Sequence, residues 1–247
     1  LSVGRPKRRH FGQRISISMK IIVFSDLDVT LLDRYTYSWK PAEQAIGALR
    51  KRDAALVMVT SKTLAEVTPL HQELGFDDPF IFENGGGVAF HKDTPLGLHL
   101  LSSKAEIMEF DRKGVAVLAF GKRYEALVQS LAEISAEVGV PLPGFSMMSL
   151  ETVAGATGLS AEEAAKARVR LFDEPFMIPE GSNSLEDDIR DAAVRRGLQV
   201  VKGGRFRHLI GHAGKGMAVS VLLDAYQKTY GEVVSIGLGD SPNDFSF

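Results

Sequence analysis

The chain has 247 residues, 45% of them hydrophobic and 24% charged, with a formal net charge of -2. It can hold one large domain or two modest ones, and its charge balance gives no bias toward nucleic acid or membrane surfaces. No apolar run approaches the roughly 18 residues that cross a bilayer, and zero cysteines exclude disulfides, thiolate metal sites and a cysteine nucleophile, so oxygen and nitrogen groups must do the chemistry.

Residues 1–18 carry Arg5, Lys7, Arg8, Arg9 and Arg14 and no apolar segment. They read as a disordered basic leader outside the fold, with translation expected to begin naturally at Met19. The absence of cysteine fits a cytoplasmic protein. Residues 21–24 form an apolar run suited to a strand buried on both faces of a parallel sheet. At its carboxyl end Asp26 and Asp28 lie two apart, so an extended backbone sends both carboxylates from one face. Unpaired, they would repel; a shared divalent cation such as Mg²⁺ would hold both ionised beside an anionic substrate, which points to phosphate chemistry. A helix over 41–52 and a strand over 54–59 complete a right-handed βαβ unit. That unit puts Thr60 beside Asp26, where its hydroxyl could donate to a phosphoryl oxygen; the other reading is that Thr60 caps a helix over 63–74. A strand over 80–82 ends in Glu83-Asn84-Gly85-Gly86-Gly87. The glycines suit either a loop close to a ligand or a hairpin turn into a strand over 88–90.

Beyond residue 91 the pattern becomes mixed. A strand over 115–120, a helix over 123–138, a stretch over 150–157 leading into a short helix with no clear start signal, and a capping box at Ser160-Ala161-Glu162-Glu163 opening a helix to 167 follow in turn. Strands over 169–172 and 176–178, a helix over 185–196 and a strand over 198–202 complete what reads as an α+β lid closing over the site. Residues 202–209 return the chain to the core through a short strand or hairpin, with Lys202, Arg205 and Arg207 bringing positive charge to the cleft. Lys215 precedes a helix over 217–230; it is either placed to neutralise a phosphoryl group and Asp26 or is a solvated lysine. A strand over 233–238 ends in Gly239-Asp240-Ser241-Pro242-Asn243-Asp244. Its acids complete the Mg²⁺ site that Asp26 and the Asp28 backbone carbonyl begin, with Asp240 as direct ligand and Asn243 and Asp244 orienting it or its waters. The expected fold is α/β, a Rossmann-like doubly wound parallel sheet built from residues 19–90 and 205–247, with an α+β cap inserted at 91–204.

These motifs, each at a strand end or helix start, resemble those of the haloacid dehalogenase superfamily of phosphotransferases. Asp26-Leu27-Asp28-Val29-Thr30 resembles its Asp-x-Asp-x-Thr signature. The resemblance implies that Asp26 is a nucleophile forming an aspartyl-phosphate and that Asp28 is the general acid and base. It further makes Thr60 the second motif, with Ser61 and Lys62 as neighbouring substrate contacts, Lys215 the third, and Mg²⁺ the cofactor. The position of the insert is similar to the Cof-like branch with a C2-type cap. Within that branch, Thr60-Ser61-Lys62-Thr63, Glu83-Asn84-Gly85-Gly86, the stretch from Arg170 through Asp173-Glu174-Pro175 to Phe176, and Lys202-Gly203-Gly204-Arg205-Phe206 resemble the mannosyl-3-phosphoglycerate phosphatase family. That family removes the 3-phosphate of 2-O-mannosyl-3-phosphoglycerate to give mannosylglycerate, a compatible solute. Membership implies that Ser61, Lys62, Asn84, Gly85, Arg170, Glu174, Lys202, Gly203 and Arg205 meet a small phosphorylated sugar-glycerate substrate.

A phosphoglycerate also carries a carboxylate, for which Arg170 and Arg205 offer guanidinium groups. Glu174 could accept from sugar hydroxyls, unless it and Arg170 pair within the lid. Glucosyl-3-phosphoglycerate and sucrose-phosphate phosphatases, a related phosphomutase, and a catalytically silent sugar-phosphate-binding protein are the rival readings. Two departures from the pattern stand out. Val29 replaces the usual glycine, so a shifted or strained turn is expected there, and family members continue past Phe247, so a truncated form is expected. His10, His71, His91, His99, His208 and His212 show no metal-ligand spacing and are assigned no chemistry.

Overall fold

The computed structural model describes residues 19–247 apart from 104, 110–113, 182 and 213; the expected leader over 1–18 lies outside the described residues. In chain order, β1 (Lys20–Ser25) leads to α1 (Glu43–Lys51), β2 (Ala55–Met58), α2 (Leu64–Leu74), β3 (Phe80–Phe82), β4 (Gly87–His91) and α3 (Pro95–Leu101). Then come β5 (Glu106–Glu109), β6 (Val115–Ala119), α4 (Tyr124–Val138), α5 (Leu150–Thr157), α6 (Ala161–Ala167) and β7 (Asp173–Phe176). The last elements are α7 (Glu186–Arg195), β8 (Gln199–Gly203), β9 (Phe206–Ile210), α8 (Lys215–Tyr230) and β10 (Val233–Leu238).

Strand β1 is the centre of a parallel sheet ordered β10-β1-β2, in register Ile22↔Ala55 on one side and Lys20↔Val233 on the other. Its side chains alternate between two apolar layers. Ile22 and Phe24 join Val57, Ile81, Leu222 and Tyr226, while Val23 joins Leu56, Met58, Val67 and Phe82. Both faces are covered, as an uninterrupted apolar strand requires. A parallel bridge from Val59 to Ile81 carries the layer on to an antiparallel sheet ordered β3-β4-β6-β5. Helix α2 begins at Thr63, whose hydroxyl accepts from the Glu66 N–H while the Glu66 carboxylate accepts from the Thr63 N–H. Thr63, not Thr60, is therefore the cap.

A second unit is built on the antiparallel sheet β7-β9-β8. Helices α4 and α7 cover one of its faces through Leu127, Leu131, Ile134, Phe176, Ile189 and Leu209. Helices α5 and α6 pack beside it on Phe145, Met148, Val153 and Phe206, α6 starting at the expected Ser160 capping box.

Strand pairing shifts both limits expected for the cap at 91 and 204. Strands β5 and β6 are bonded to β4 and so belong with the core sheet, whereas β9 does not return to the core but pairs with β7 and β8. Where strands over 169–172 and 176–178 were expected there is one, Asp173–Phe176. Helix α3 and strand β5 were not foreseen at all. Among the described residues no helix is long and apolar enough to cross a membrane.

Candidate active site

Three strand ends converge at Asp26. The Asp26 N–H donates to the Leu238 carbonyl at 2.9 Å and the Val59 N–H donates to the Ser25 carbonyl at 2.8 Å, so the turns after β1, β2 and β10 meet at one edge of the parallel sheet. One carboxylate oxygen from each of Asp26, Asp240 and Asp244 lies within 4.8 Å of the others. Lys215, at the first position of α8 and only 5% exposed, donates to Asp26 Oδ1 and to Asp244 Oδ1, each at 2.7 Å. It is thus a buried counter-ion and not a solvated lysine. Asp244 is itself held by the Ser241 N–H at 3.2 Å, and Ser241 Oγ donates to both Asn243 Oδ1 and Asp244 Oδ2.

Burial pushes the Asp26 carboxyl up to about 6; Lys215 pulls the other way, and Asp244 and Asp28 add repulsion. Asp28 sits 3.2 Å from Lys62 Nζ, which also faces Glu66 at 4.0 Å. Burial would lower the Lys62 ammonium, but Asp28 and Glu66 outweigh it and hold it above the usual lysine range. The Asp28 oxygen that faces Lys62 is Oδ1. An all-oxygen donor set and mutual repulsion among the carboxylates fit a hard divalent cation such as Mg²⁺. Val29 takes φ 66°, the left-handed conformation that the motif's turn demands and that valine disfavours.

The loops after β2 and β3 are stitched together by backbone bonds. The Asn84 N–H donates to the Thr60 carbonyl at 3.0 Å and the Glu83 N–H to the Lys62 carbonyl at 2.9 Å. Thr60 is buried, and its hydroxyl accepts from the Lys62 N–H at 3.1 Å.

Between core and cap lies a cavity of about 970 Å³. Its core wall carries Asp26, Asp28, Ser61, Lys62, Lys215 and Asp240, and its cap wall Arg170, Lys202, Gly203, Arg205, Phe206 and His208. Acids on the core side thus face a basic roof. Arg170 is almost fully covered; its Nε donates to the Ala167 carbonyl at 2.9 Å, and its Nη1 lies 3.4 Å from Asp173. Burial would lower the Arg170 guanidinium, and Asp173 and Glu83 hold it above the usual range instead. Arg205 Nη1 donates to the Ala156 carbonyl at 3.1 Å.

Three expected substrate contacts lie off the cavity wall. Glu174 is fully buried and its Oε1 accepts from the Ser146 N–H at 3.0 Å and the Ser146 hydroxyl at 2.6 Å, so it is occupied by its own domain rather than open to a sugar. Nor does it pair with Arg170. Asn84 turns to the cap, its Nδ2 donating to Asp173 Oδ2 at 2.8 Å. Gly85, at φ 89°, packs on Gly214: a Cβ there would fall 2.4 Å from the Gly214 carbonyl carbon. Thr60 also lies off the wall.

Two residues escaped the sequence reading. Glu83 Oε2 accepts from the Leu171 and Phe172 N–H groups at 3.0 and 2.6 Å, binding the core loop to the strand entry of the cap. His208 lines the cavity with Nδ1 2.9 Å from both oxygens of Asp173. Their partners lie tens of residues away, beyond any local spacing rule.

Comparison with known proteins agrees with this geometry. The haloacid dehalogenase-like hydrolase family matches residues 23–123. A glucosyl-3-phosphoglycerate/mannosyl-3-phosphoglycerate phosphatase of Methanococcoides burtonii is 37% identical over 226 residues, 92% of this chain and 80% of that protein. One of the same description from Persephonella marina is 34% identical over 91% of this chain and 80% of its own length. In fold, a Thermoplasma acidophilum protein superposes with a TM-score of 0.62 at 22% identity over 92% of this chain and 80% of that one. A haloacid dehalogenase subclass IIB sugar phosphatase superposes with a TM-score of 0.59 at 16% identity, over 92% and 83%. The chain belongs to the glucosyl-3-phosphoglycerate/mannosyl-3-phosphoglycerate phosphatase family of haloacid dehalogenase-like hydrolases, and is a phosphoric monoester hydrolase of α/β fold.

Proposed function

We propose that this enzyme removes the 3-phosphate of mannosyl-3-phosphoglycerate to release mannosylglycerate. The observation that carries the reading is a cavity that joins an acidic, lysine-bridged floor to a basic roof. A phosphoryl group needs the floor. A second anionic group on the same substrate, the glycerate carboxylate, suits the roof, where Arg170, Lys202 and Arg205 stand.

In this reading Asp26 attacks phosphorus, forming its acyl phosphate as the bond to the leaving oxygen breaks. Asp28 gives that oxygen a proton, then takes one from the water that cleaves the acyl phosphate, returning Asp26 as a free carboxylate and releasing inorganic phosphate. Lys215 balances the charge gathering between Asp26 and the phosphoryl oxygens. Asp26, Asp240 and Asp244 would hold Mg²⁺ through their carboxylates, and the ion would supply charge neutralisation at the phosphoryl group and favour the ionised form of Asp26. Ser61 and Lys62 line the approach.

The test is phosphate release from mannosyl-3-phosphoglycerate, glucosyl-3-phosphoglycerate, sucrose phosphate and p-nitrophenyl phosphate. The mannosyl compound is expected to show the highest kcat/KM, with activity lost on chelating divalent cations. A sucrose phosphate preference, or equal rates on all four, would refute the substrate assignment.

A further inference from the structure

The cap sheet turns one face to the cavity. Antiparallel register sets Val201 of β8, His208 of β9 and Pro175 of β7 side by side, and side chains directly opposite share a face. Phe206 and Asp173 lie two residues along their strands and share it too. The other face, with Leu209 and Phe176, is covered by α4 and α7. His208 is therefore an imidazole set among Val201, Pro175 and Phe206, and all four line the cavity.

That ring is held in place. Asp173, fully buried, stands 2.9 Å from Nδ1 and accepts at its Oδ2 from Asn84 of the core loop. Burial would raise the Asp173 carboxyl, yet His208, Arg170 and the hydrogen bonds from His208 and Asn84 together keep it below the usual range. A carboxylate at Nδ1 fixes the proton there and leaves Nε2 as the nitrogen free to bind. Among the described residues no hydrogen bond to Nε2 is present. Beside it the β8–β9 hairpin passes through Gly203, where a Cβ would fall 2.7 Å from Nε2; any side chain there would cover the ring edge.

We propose that His208 is a specificity residue of the cap, its Nε2 accepting a hydrogen bond from a hydroxyl of the substrate's glycosyl group, with Asp173 and Asn84 as its positioning residues. The inference rests on the glycosyl-phosphoglycerate reading above. Phosphate is matched at the Asp26 and Lys215 end and the carboxylate by Arg170, Lys202 and Arg205. On the cap side His208 sets an acceptor nitrogen among apolar neighbours, which suits a sugar ring laying its C–H face on Pro175, Val201 and Phe206. Because Asn84 comes from the core, the orientation of His208 depends on the cap being seated.

The experiment compares kcat/KM for mannosyl-3-phosphoglycerate with that for 3-phosphoglycerate, which keeps the phosphate and carboxylate and lacks the sugar. His208→Ala is expected to lower the ratio of the two about tenfold, chiefly through KM, the worth of one hydrogen bond. His208→Gln, which retains an acceptor, restores part of the ratio, and Asn84→Ala lowers it in the same way through KM. An unchanged ratio, with both substrates falling together, would make His208 a structural residue and overturn the proposal. A wild-type enzyme that does not prefer the glycosylated substrate would instead sink the substrate reading on which the proposal stands. Should His208→Ala lose its cooperative thermal transition, monodeoxy-glycosyl substrates tested on the wild-type protein take its place. One deoxy position should then cost about tenfold, and no cost at any position overturns the proposal.

Discussion

Val29 shows how a single backbone angle can oppose its side chain. At φ 66° a β-branched residue bears a penalty of roughly 1 kcal/mol that glycine avoids, partly offset by glycine's greater freedom in the unfolded chain. Val29→Gly is expected to stabilise the protein by up to about 1 kcal/mol in a chemical denaturation measurement, and an equal or lower midpoint would mean that the turn bears no strain. Lys215 is the opposite case, a buried charge made stable by the two carboxylates it bridges. Lys215→Met keeps the volume but leaves Asp26 and Asp244 facing each other, and kcat on p-nitrophenyl phosphate should fall about 10²- to 10³-fold, as when a preorganised donor is lost; a fall of less than threefold would deny the lysine a role. Such residues were legible in the sequence. Asp26, Asp28, Lys215, Asp240 and Asp244 each sit where a strand ends or a helix starts, and local spacing announces that. Glu174 misled because a buried carboxylate and a substrate-binding one look alike until the donor is known. Here it is Ser146, 28 residues away.

At the scale of elements, the contact between the β3–β4 loop and the entry to β7 carries a titrating group. Burial pushes Glu83 up to about 7, against the pull of Arg170 and its two N–H donors and with Asp173 adding repulsion. Between the unfolded value of 4.5 and about 7 the folded chain holds a proton that the unfolded chain has lost, so this group's contribution to stability falls as pH rises through that window. Thermal melts at about pH 5 and 7.5 should show a steeper decline for the wild-type protein than for Glu83→Gln. Parallel declines would mean that Glu83 is ionised throughout. The same contact explains a misread element. Asp173-Glu174-Pro175 looks like a charged break between two apolar strands, yet it is the strand itself. Its acids are buried because Arg170, His208, Asn84 and Ser146 meet them, and the proline is tolerated because β7 is an edge strand of its sheet. Helix α3 was missed for a different reason. Its signal, Thr94 capping the Gly97 N–H with Pro95 following, is an ordinary one, but it lies in a stretch already taken for the start of the cap.

Across the whole molecule, the parallel core was readable because β1 and β2 are buried and apolar throughout, as Ile22, Val23 and Phe24 are; β10, just as apolar in sequence and so expected to be buried, is largely exposed. The division between core and cap was not readable. Strands β6 and β9 carry no mark in their residues of which sheet they join, because that choice is made by long-range pairing with β4 in one case and with β7 in the other, β8 being only the hairpin neighbour of β9. The consequence is functional: the hairpin bearing Lys202, Arg205 and His208 belongs to the cap sheet, so the basic roof and the acidic floor sit on separate units. The claim that binds these scales together is that Asp26 becomes covalently phosphorylated within that enclosure. Asp28→Asn, mixed with p-nitrophenyl phosphate and Mg²⁺, acid-quenched and digested for peptide mass mapping, tests it most directly, because the good leaving group needs no proton while the acyl phosphate lacks its base. The account predicts a burst of p-nitrophenol stoichiometric with enzyme and a phosphoryl group on the peptide containing Asp26, both absent in Asp26→Asn. Turnover by Asp26→Asn at the wild-type rate would contradict it.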